Sequence, residues 1–555
     1  MDTKKSNSSI QVYSVFDRIP LNSGFFPIRL KATNYTKNPL KVPLLSKCAG
    51  NYGRSTTLEN TWNMNIPPSG AYEEVLIPVI NIGTYGNGME LTANTEGAHR
   101  YRGRIDLAHT PLAITRAQSS LKGASLKTKL ENEISKSKSS HRVHHGSNDL
   151  AEFAVNAMIK NPDQLLGWDY FIITESELDQ LGEVENEYQA LAFERFLKRG
   201  GQLWVIDMDH IEGRLPARWQ AVELKKELIS KKPLKARYSV GLGQVCIQEK
   251  SKIQWSAMEK HKTLTQVMSN HKNPSTVIAS LKKNVPAISA NILGFLLLIL
   301  FFALMIGPIN LWFFCKGNRL KLVITTPIIS LLSAIIIIAM IFILDGTGGD
   351  GARQQVRIID PIRHQHLTQQ IQLSRTGIVF SDAFKLPHEN YIWPSPLDSS
   401  FYKNAREVNK IGIESGQASG GWFTSRNLQA QFLHGSTPSR ERVEIKWQNN
   451  EPMVLSTLQS KCELIWVFGK GKIWRGENII PGQEKKLVEY HINNSNDKAR
   501  VQGFQNYLKE LSQAGQDWFV AKSHENQGFS DTLSSMRWND HQSIFLGPLV
   551  NRGDN

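Results

Sequence analysis

Cysteine is scarce. Cys48, Cys246, Cys315 and Cys462 are too few and too scattered for a disulfide framework or a zinc site, and they leave the redox compartment open. No Gly-x-Ser-x-Gly or Gly-x-Cys-x-Gly elbow occurs, so the usual device for exposing a nucleophile on a sharp turn is missing. Met1 to Leu30 contains no apolar run of the kind that forms the core of a signal peptide. Acid is in deficit: 50 Asp and Glu stand against 65 Lys and Arg, a formal charge of +15.

The excess base is partly local. Arg116, Lys122, Lys127, Lys129, Lys136, Lys138 and Arg142 form one cluster, and Lys225, Lys226, Lys231, Lys232, Lys235 and Arg237 a second. Such stretches bind nucleic acid or anionic head groups in some proteins. Here neither aromatic interleaving nor a recognition motif accompanies them, so they read as solvated faces and no nucleic-acid partner is expected.

What the chain has in abundance is apolar sequence concentrated in one place. The mean hydropathy of −0.31 is that of a water-soluble protein, yet Leu322 to Leu344 is uncharged and nearly all aliphatic. As a helix it spans roughly 34 Å, enough for a hydrocarbon core of about 30 Å. Ile288 to Phe314 is also uncharged; Asn291, Gly307, Pro308 and Asn310 are tolerated in membrane helices when neighbours satisfy the freed backbone groups. The link Cys315-Lys316-Gly317-Asn318-Arg319-Leu320-Lys321 is short enough to force an antiparallel pair. The expectation is a multi-pass protein of the plasma membrane, with the lipid bilayer as partner and both large flanking regions on one side. Lys316, Arg319 and Lys321 in the loop favour its cytoplasmic placement and hence extracytoplasmic flanks. That orientation requires a signal peptide, so the expected natural start lies upstream of Met1, with cytoplasmic domains as the alternative.

Outside the hairpin, periodicity divides the chain. Ile28, Leu30 and Ala32 alternate with Arg29 and Lys31, and Val75 to Ile80 follows the turn Pro67-Pro68-Ser69-Gly70; short strands at this spacing suggest an immunoglobulin-like sandwich over 1–98. Over 99–275 a strand at Leu112-Ala113-Ile114 and a helix at Leu121 to Ile134 precede a Ser/Lys/His-rich loop, Ser135 to Ser147. Tyr170 to Ile173, a helix led by Thr174 to Glu177, a helix carrying Leu191, Phe193, Phe196 and Leu197, the stop Gly200-Gly201 and the strand Leu203 to Ile206 make a βαβ unit with a parallel sheet. Gly241-Leu242-Gly243 then opens the strand Gln244 to Ile247. After the hairpin (286–345, helices 288–314 and 322–344), Gly346 to Gly351 reads as an exit loop. The region 352–555 reads as β-rich, with strands at Gly377 to Phe380, Ile411 to Ile413, Val443 to Trp447 and Leu464 to Phe468. Val501, Phe504, Leu508 and Leu511 mark a helix near 498–513, and Trp518 to Ala521 and Ile544 to Leu546 are closing strands.

The run Tyr170 to Leu178, with Phe196-Leu-Lys-Arg-Gly-Gly-Gln-Leu-Trp-Val-Ile206, resembles the class I glutamine amidotransferase-like fold. Gly307-Pro308-Ile309-Asn310, the basic loop, Thr326-Pro327, Gly421 to Leu428 and the turn Pro481-Gly482 are similar, in order and spacing, to a group of bacterial two-transmembrane-helix envelope proteins that carry such a domain. The resemblance implies a multidomain α/β plus all-β chain: a β-sandwich, a flavodoxin-like or amidotransferase-like α/β domain, a two-helix transmembrane hairpin and a C-terminal β-rich domain. It also implies extracytoplasmic domains, a signal peptide and envelope partners in a system of MoxR-type ATPases and von Willebrand factor A proteins.

Class I amidotransferases use a cysteine, a histidine and a glutamate. Cys246, between Val245 and Ile247, reads instead as a buried strand thiol. Thr174 to Glu177 sits where a sheet-end ligand would lie, but Ser176 with Asp179 also reads as a helix cap. Glu175 is the residue there with most scope for a functional role. His141, His144, His145, His364 and His366 match no rigid metal site and read as surface histidines. Gly469-Lys470-Gly471-Lys472 lacks phosphate-loop spacing, Gly241-Leu242-Gly243 precedes a strand rather than a helix, and Arg552-Gly553-Asp554 is a chance match. No catalytic, cofactor-binding or metal residue is assigned and no cofactor is expected. The leading expectation is a non-catalytic membrane-anchored binding or scaffold protein; the competing one is a membrane-bound hydrolase or transferase using the cleft near Thr174 and Glu175.

Overall fold

The computed structural model describes residues 8–20, 27–49, 57–76, 87–93, 99–105, 107–108, 112–115, 125–137, 150–155, 158, 165, 167–206, 208, 214–219, 221–223, 236–249, 253–260, 274–286, 292–314, 321–345, 348–379, 383–386, 390–395, 408–414, 417–423, 425, 427–448, 451–490 and 517–552. The chain is mixed α/β with large β-sheets. His141, His144, His145, the helix expected near 498–513 and most of the second basic cluster lie outside the described residues.

The N-terminal strands form a sandwich. Ser8–Ser14, Ile28–Asn34 and Ala71–Leu76 make a three-stranded antiparallel sheet. The period-2 pattern places Ile28, Leu30 and Ala32 against Val42, Leu44, Met64 and Ile66 of the facing sheet. That facing sheet draws on distant sequence. Thr57–Ile66 pairs antiparallel with Leu40–Ala49 on one side and parallel with Val408–Glu414 on the other.

The chain then enters a second unit. Its seven-stranded sheet has parallel strands Leu112–Thr115, Ala151–Phe153, Tyr170–Thr174, Gln202–Ile206 and Gly243–Gln248, arranged in chain order 2-1-3-4-5. Two antiparallel strands, Ala236–Val240 and Val222–Glu223, extend the last edge. Tyr170–Thr174 and Gln202–Ile206 are near-continuous apolar runs because helices cover both faces. The helix Glu187–Lys198 turns Ala192, Phe193, Phe196 and Leu197 onto the sheet. Gly200, in left-handed conformation (φ 94°), ends it. Gly201 has no room for a Cβ, which would lie 2.2 Å from the Phe196 ring.

A short piece of the N-terminal region belongs to this core. Val15 and Phe16 are buried in it, the Phe16 ring 4.9 Å from that of Trp168, and Asp17 hydrogen-bonds the backbone of Glu152 in both directions. Burial, the largest influence, raises the Asp17 carboxyl above its ordinary value against the lowering effect of the Glu152 N–H.

The largest sheet has nine strands and includes Asn390–Ser395, Leu428–Pro438, the long hairpin Gly349–Asp360 and Gln365–Thr376, Met536–Pro548, Trp518–Ser523, Cys462–Gly469 and Lys472–Ile479. Gly349–Asp360 pairs parallel with Met536–Pro548; the other pairings cited are antiparallel. Glycines 349 and 351, expected in a loop, lie inside the first strand of the hairpin, and the second ends at Thr376, leaving Gly377 to Val379 outside it. A four-stranded sheet containing Val443–Gln448 and Glu451–Ser456 covers one end and encloses an apolar core with Ile465, Val467, Phe519 and Phe545. On the opposite face, the helix Pro274–Lys282 lays Val277, Ile278 and Leu281 against Ala352, Leu373 and Ala430. The α/β unit touches the sheet through Leu242 and through Arg363, which donates to the carbonyls of Ser239 and Gly241 at 3.4 and 3.5 Å.

Between these units lie three apolar helical segments: Ile292–Leu304, a π-helical continuation Met305–Phe314 that contains Pro308, and Lys321–Asp345. Asn310, fully buried, donates to Thr326 Oγ1 at 3.1 Å and ties the two limbs together. Leu296, Leu297, Leu300, Phe301, Trp312 and Leu331 are more than half exposed. Among the described residues no helix is long and apolar enough to cross a membrane. The described side chains of the last segment run from 323 to 339, within a helical backbone of 25 residues.

Because Phe16 is wholly enclosed by rings of another unit, Phe16→Ala should destabilise the α/β unit by about 3–5 kcal/mol, the usual result of emptying a large aromatic site. The check is the urea midpoint of the full chain.

Candidate functional site

The carboxyl ends of the parallel strands are closed by a helix cap. Thr174 is the N-cap of Glu175–Leu181, in extended conformation (φ −87°, ψ 164°). Its hydroxyl accepts from the Glu177 N–H at 3.3 Å, and Glu177 Oε2 accepts from the Thr174 N–H at 3.0 Å, a reciprocal capping box. Thr115, at the end of the neighbouring strand, donates its hydroxyl to Glu177 Oε1. The cap is thus Thr174 with Glu177, two residues earlier than the Ser176 and Asp179 reading. Ser176 Oγ lies 3.0 Å from Thr174 Oγ1. Glu175 and Asp179 both pair with Arg214, the latter at 2.8 Å.

Cys246 lies mid-strand among Ile172, Trp204 and Ile206. Desolvation pushes its thiol up to about 12 against a smaller lowering by Arg237. A nucleophilic cysteine needs the opposite shift. The two glycine motifs are hairpin turns: Lys470 (φ 50°) and Gly471 (φ 75°) join Cys462–Gly469 to Lys472–Ile479, a two-residue connection with positive φ at both positions. Gly241 (φ 62°) opens the turn before Gly243–Gln248. Arg552 reaches Glu484 and, at 3.8 Å, Glu444. Lys127 pairs with Glu152 at 2.7 Å, and Lys129 donates to the Ile253 carbonyl at 2.8 Å. Among the described residues no three His, Cys, Asp or Glu side chains come together to hold a metal ion.

The concentration of buried chemistry is elsewhere, on one face of the long hairpin. Arg353, Gln355 and Arg357 on the first strand, and His366, Thr368, Gln370, Gln372 and Ser374 on the second, point inward and are all at least nine-tenths buried. An irregular strap between Ser523 and Met536 lies across them. Gln370 exchanges two hydrogen bonds with the Ser530 backbone, at 2.9 and 2.8 Å. Gln372 donates to Thr532 Oγ1 at 3.3 Å, and Arg357 donates to the Gly528 carbonyl. Gly528 (φ 76°) is required there, since a Cβ would stand 2.1 Å from the Arg357 guanidinium. Arg353 pairs with Asp531 at 2.7 Å and has its guanidinium 4.4 Å from the Phe529 ring centre and 4.7 Å from that of Trp538.

At the end of the strap a cavity of about 720 Å³ opens beside Arg357, His366, Asn390, Glu441 and Phe529, within the usual size range of a small-molecule site. Glu441 is its electrostatic centre. Arg357 Nη1 donates to both carboxylate oxygens at 3.2 and 3.1 Å, the Gln459 N–H donates at 3.1 Å, and His366 Nδ1 lies 3.5 Å away without hydrogen-bond geometry. Burial alone would raise the Glu441 carboxyl, but His366, Arg357 and the Gln459 N–H together hold it below its ordinary value. Burial likewise lowers Arg357 and Arg353, opposed by Glu441 and Asp531 respectively. His366 is therefore a buried pocket residue, not the surface histidine expected from sequence; His364, at φ 51°, occupies the hairpin turn.

Sequence reasoning missed this site because inward Arg and Gln on alternate strand positions look like a solvent face. The available signal was amides on both strands of one hairpin and guanidiniums on the first, opposite apolar residues that also need cover.

Neither family models nor curated proteins match the chain. Among solved structures, a β-glucosidase from Listeria innocua in complex with glucose aligns at 6% identity over 18% of this chain and 16% of its own, with a TM-score of 0.15. A yeast delta-COP-I mu-homology domain complexed with a peptide aligns at 7% over 36% and 96%, with a TM-score of 0.18. A glycosyl hydrolase family 2 member from Bacteroides cellulosilyticus aligns at 7% over 97% and 78%, with a TM-score of 0.19. The chain spans about a sixth of the length of the first of these, and superpositions this loose carry no argument.

Two outcomes follow. Cys246 should resist maleimide in the native protein at neutral pH and react after unfolding, as mass spectrometry would record. Glu441→Ala should cost about 3–5 kcal/mol, because it leaves Arg357 buried without its carboxylate. Since the folded Glu441 is held below its unfolded value near 4.3, this stabilisation is complete above that pH and fades as pH falls through the folded value. The gap between wild-type and Glu441→Gln urea midpoints should accordingly narrow on acidification from pH 7.

Proposed function

We propose that this chain is a non-catalytic, membrane-anchored binding protein of the bacterial cell envelope, held by the two-limbed hairpin and carrying its binding pocket in the C-terminal β-rich domain. The observation that carries the reading is the apolar surface of the hairpin. Leu296, Leu297, Leu300 and Phe301 on one limb and Val323, Ile324, Leu331 and Ile335 on the other present their side chains outward, a patch far beyond what soluble monomers expose to water. The helical backbone Lys321–Asp345 has 25 residues, about 37 Å of rise. The Asn310–Thr326 hydrogen bond is of the kind that joins helices in lipid. Trp312, largely exposed beside the basic loop, suits an interfacial belt.

The strand order 2-1-3-4-5 is that of flavodoxin-like doubly wound sheets, which supports a degenerate amidotransferase-like α/β domain. Ligands of such sheets bind beyond the strand ends, where here Thr115, Thr174, Ser176 and Glu177 bond one another in a cap. That supports binding rather than hydrolysis or group transfer. The resemblance to envelope proteins suggests partners in a MoxR and von Willebrand A-type system, with the soluble units outside the cytoplasm.

Alkaline phosphatase fused after residue 555 should be active and fused near Arg319 inactive; activity at the loop alone would reverse the orientation. Full-length protein found in the supernatant after detergent-free ultracentrifugation would end the anchoring proposal.

A further inference from the structure

One end of the nine-stranded sheet carries a row of charge on the face that receives the helix Pro274–Lys282. Arg375, Asp350 and Arg537 stand in cross-strand register, with Asp350 between the two arginines. Ala352 and Leu373, two residues further along the same strands, pack against that helix, which fixes the face. Arg537 Nη2 lies 3.3 Å from Asp350 Oδ2, and the arginine side chain is 78% exposed. At the end of the helix Lys282 and Lys283 are exposed. Asn284 then donates to Asp540 Oδ2 at 2.6 Å, and Arg375 donates to the Pro286 carbonyl at 2.8 Å. Four cations from three separate stretches of chain are thus gathered at one end of one sheet.

The apolar segments join the domain at this same end. Ile292–Leu304 begins six residues after Pro286, and Gly349–Asp360 begins four residues after Asp345. A residue spans at most about 3.6 Å, so Asp350 lies within about 18 Å of the end of the second limb. A head-group layer is about 5–7 Å deep, and a charge is felt over about 8–10 Å at ordinary ionic strength. With the hairpin in a bilayer, the row therefore stands within electrostatic reach of the head groups. Charge narrows the lipid class. Three carboxylates, Asp345, Asp350 and Asp540, face the four cations, and two of them already take amide donors: Asn539 at 3.3 Å on Asp350 and Asn284 on Asp540. Lys283 has no partner among the described residues, and Arg537 keeps most of its surface in solvent. A zwitterionic surface has no net charge to offer these two, whereas an anionic phosphodiester meets both an ammonium and a guanidinium fork.

We propose that this end of the C-terminal domain rests on anionic phospholipid, with Lys283 and Arg537 taking phosphate head groups and Lys282 and Arg375 adding to the local field. The proposal rests on the reading of the hairpin as a membrane anchor and adds a lipid preference to it.

The experiment reconstitutes the full chain into vesicles of equimolar phosphatidylglycerol and phosphatidylcholine. The protein is then extracted in a neutral detergent and washed on an affinity column, and the two retained lipids are measured by mass spectrometry. Phosphatidylglycerol should exceed phosphatidylcholine by about fivefold or more, the pull of one or more cations held at a charged surface. The ratio should fall partway in Lys283→Gln and to near parity in the double variant Lys283→Gln/Arg537→Gln, with melting temperatures near wild type. Parity in the wild type overturns the inference, and so does an excess that survives the double variant. In the latter case Lys316→Gln/Arg319→Gln/Lys321→Gln shows whether the loop holds the lipid instead. Extraction with alkaline carbonate is scored apart: protein released from the vesicles ends the anchor reading, whereas protein that stays embedded without lipid preference ends this inference alone.

Discussion

A guanidinium taken out of water must be met by charge or by carbonyl oxygens, or it will not stay there. Two such groups, Arg353 and Arg357, sit on the inward face of a single strand, and much of the C-terminal domain is arranged around meeting them. Glu441 comes from the connection after Leu428–Pro438 to meet one, and Asp531 and Asn526 come from the strap to meet the other. The strap buries Phe529 and Leu533 on either side of Ser530. Its path follows the amides of Gln370 and Gln372 and the Arg357 contact with Gly528. The polar face therefore orders an otherwise irregular segment and leaves a cavity where that segment stops.

The opposite face of the same hairpin obeys ordinary hydrophobic logic. Ala352, Leu373 and Ala430 receive the helix Pro274–Lys282, which leads directly into the first apolar segment. Arg375 donates to the Pro286 carbonyl at 2.8 Å, fixing the chain where it leaves the domain. One sheet thus carries a buried polar network on one side and, on the other, the helix that precedes the apolar segments.

Legibility in the sequence tracked burial pattern. Runs with one apolar face or none polar were readable: Tyr170–Thr174, Gln202–Ile206, the helix bearing Phe193 and Phe196, and the alternation at Ile28 to Ala32. Their neighbours supply the burial that the pattern announces. The hairpin Gly349–Asp360 was obscured because its polar residues face inward, a choice made favourable only by Glu441 and a strap more than 170 residues away. The cap was misread by two residues for a local reason: Thr174 and Ser176 both suit an N-cap, and the partner that decides between them, Thr115 on Glu177, comes from another strand. His366 looked like a surface residue because nothing near it in sequence covers it. The parallel pairing of Thr57–Ile66 with Val408–Glu414 has no local signal at all.

That pairing has a consequence for how the molecule comes into being. The N-terminal strand at Thr57 pairs early with Leu40–Ala49 but lacks a neighbour on its other edge until Val408–Glu414 has been synthesised, and both apolar segments emerge from the ribosome in between. During translation it offers an open edge, with Thr57, Leu58, Glu59 and Asn60 awaiting backbone partners that do not yet exist. Biogenesis therefore has a fixed chronology, in which the first strands wait for the apolar segments and Val408–Glu414 to be made before their sheet is sealed. A nascent chain arrested between the hairpin and Val408 would carry an adhesive edge that the finished protein conceals.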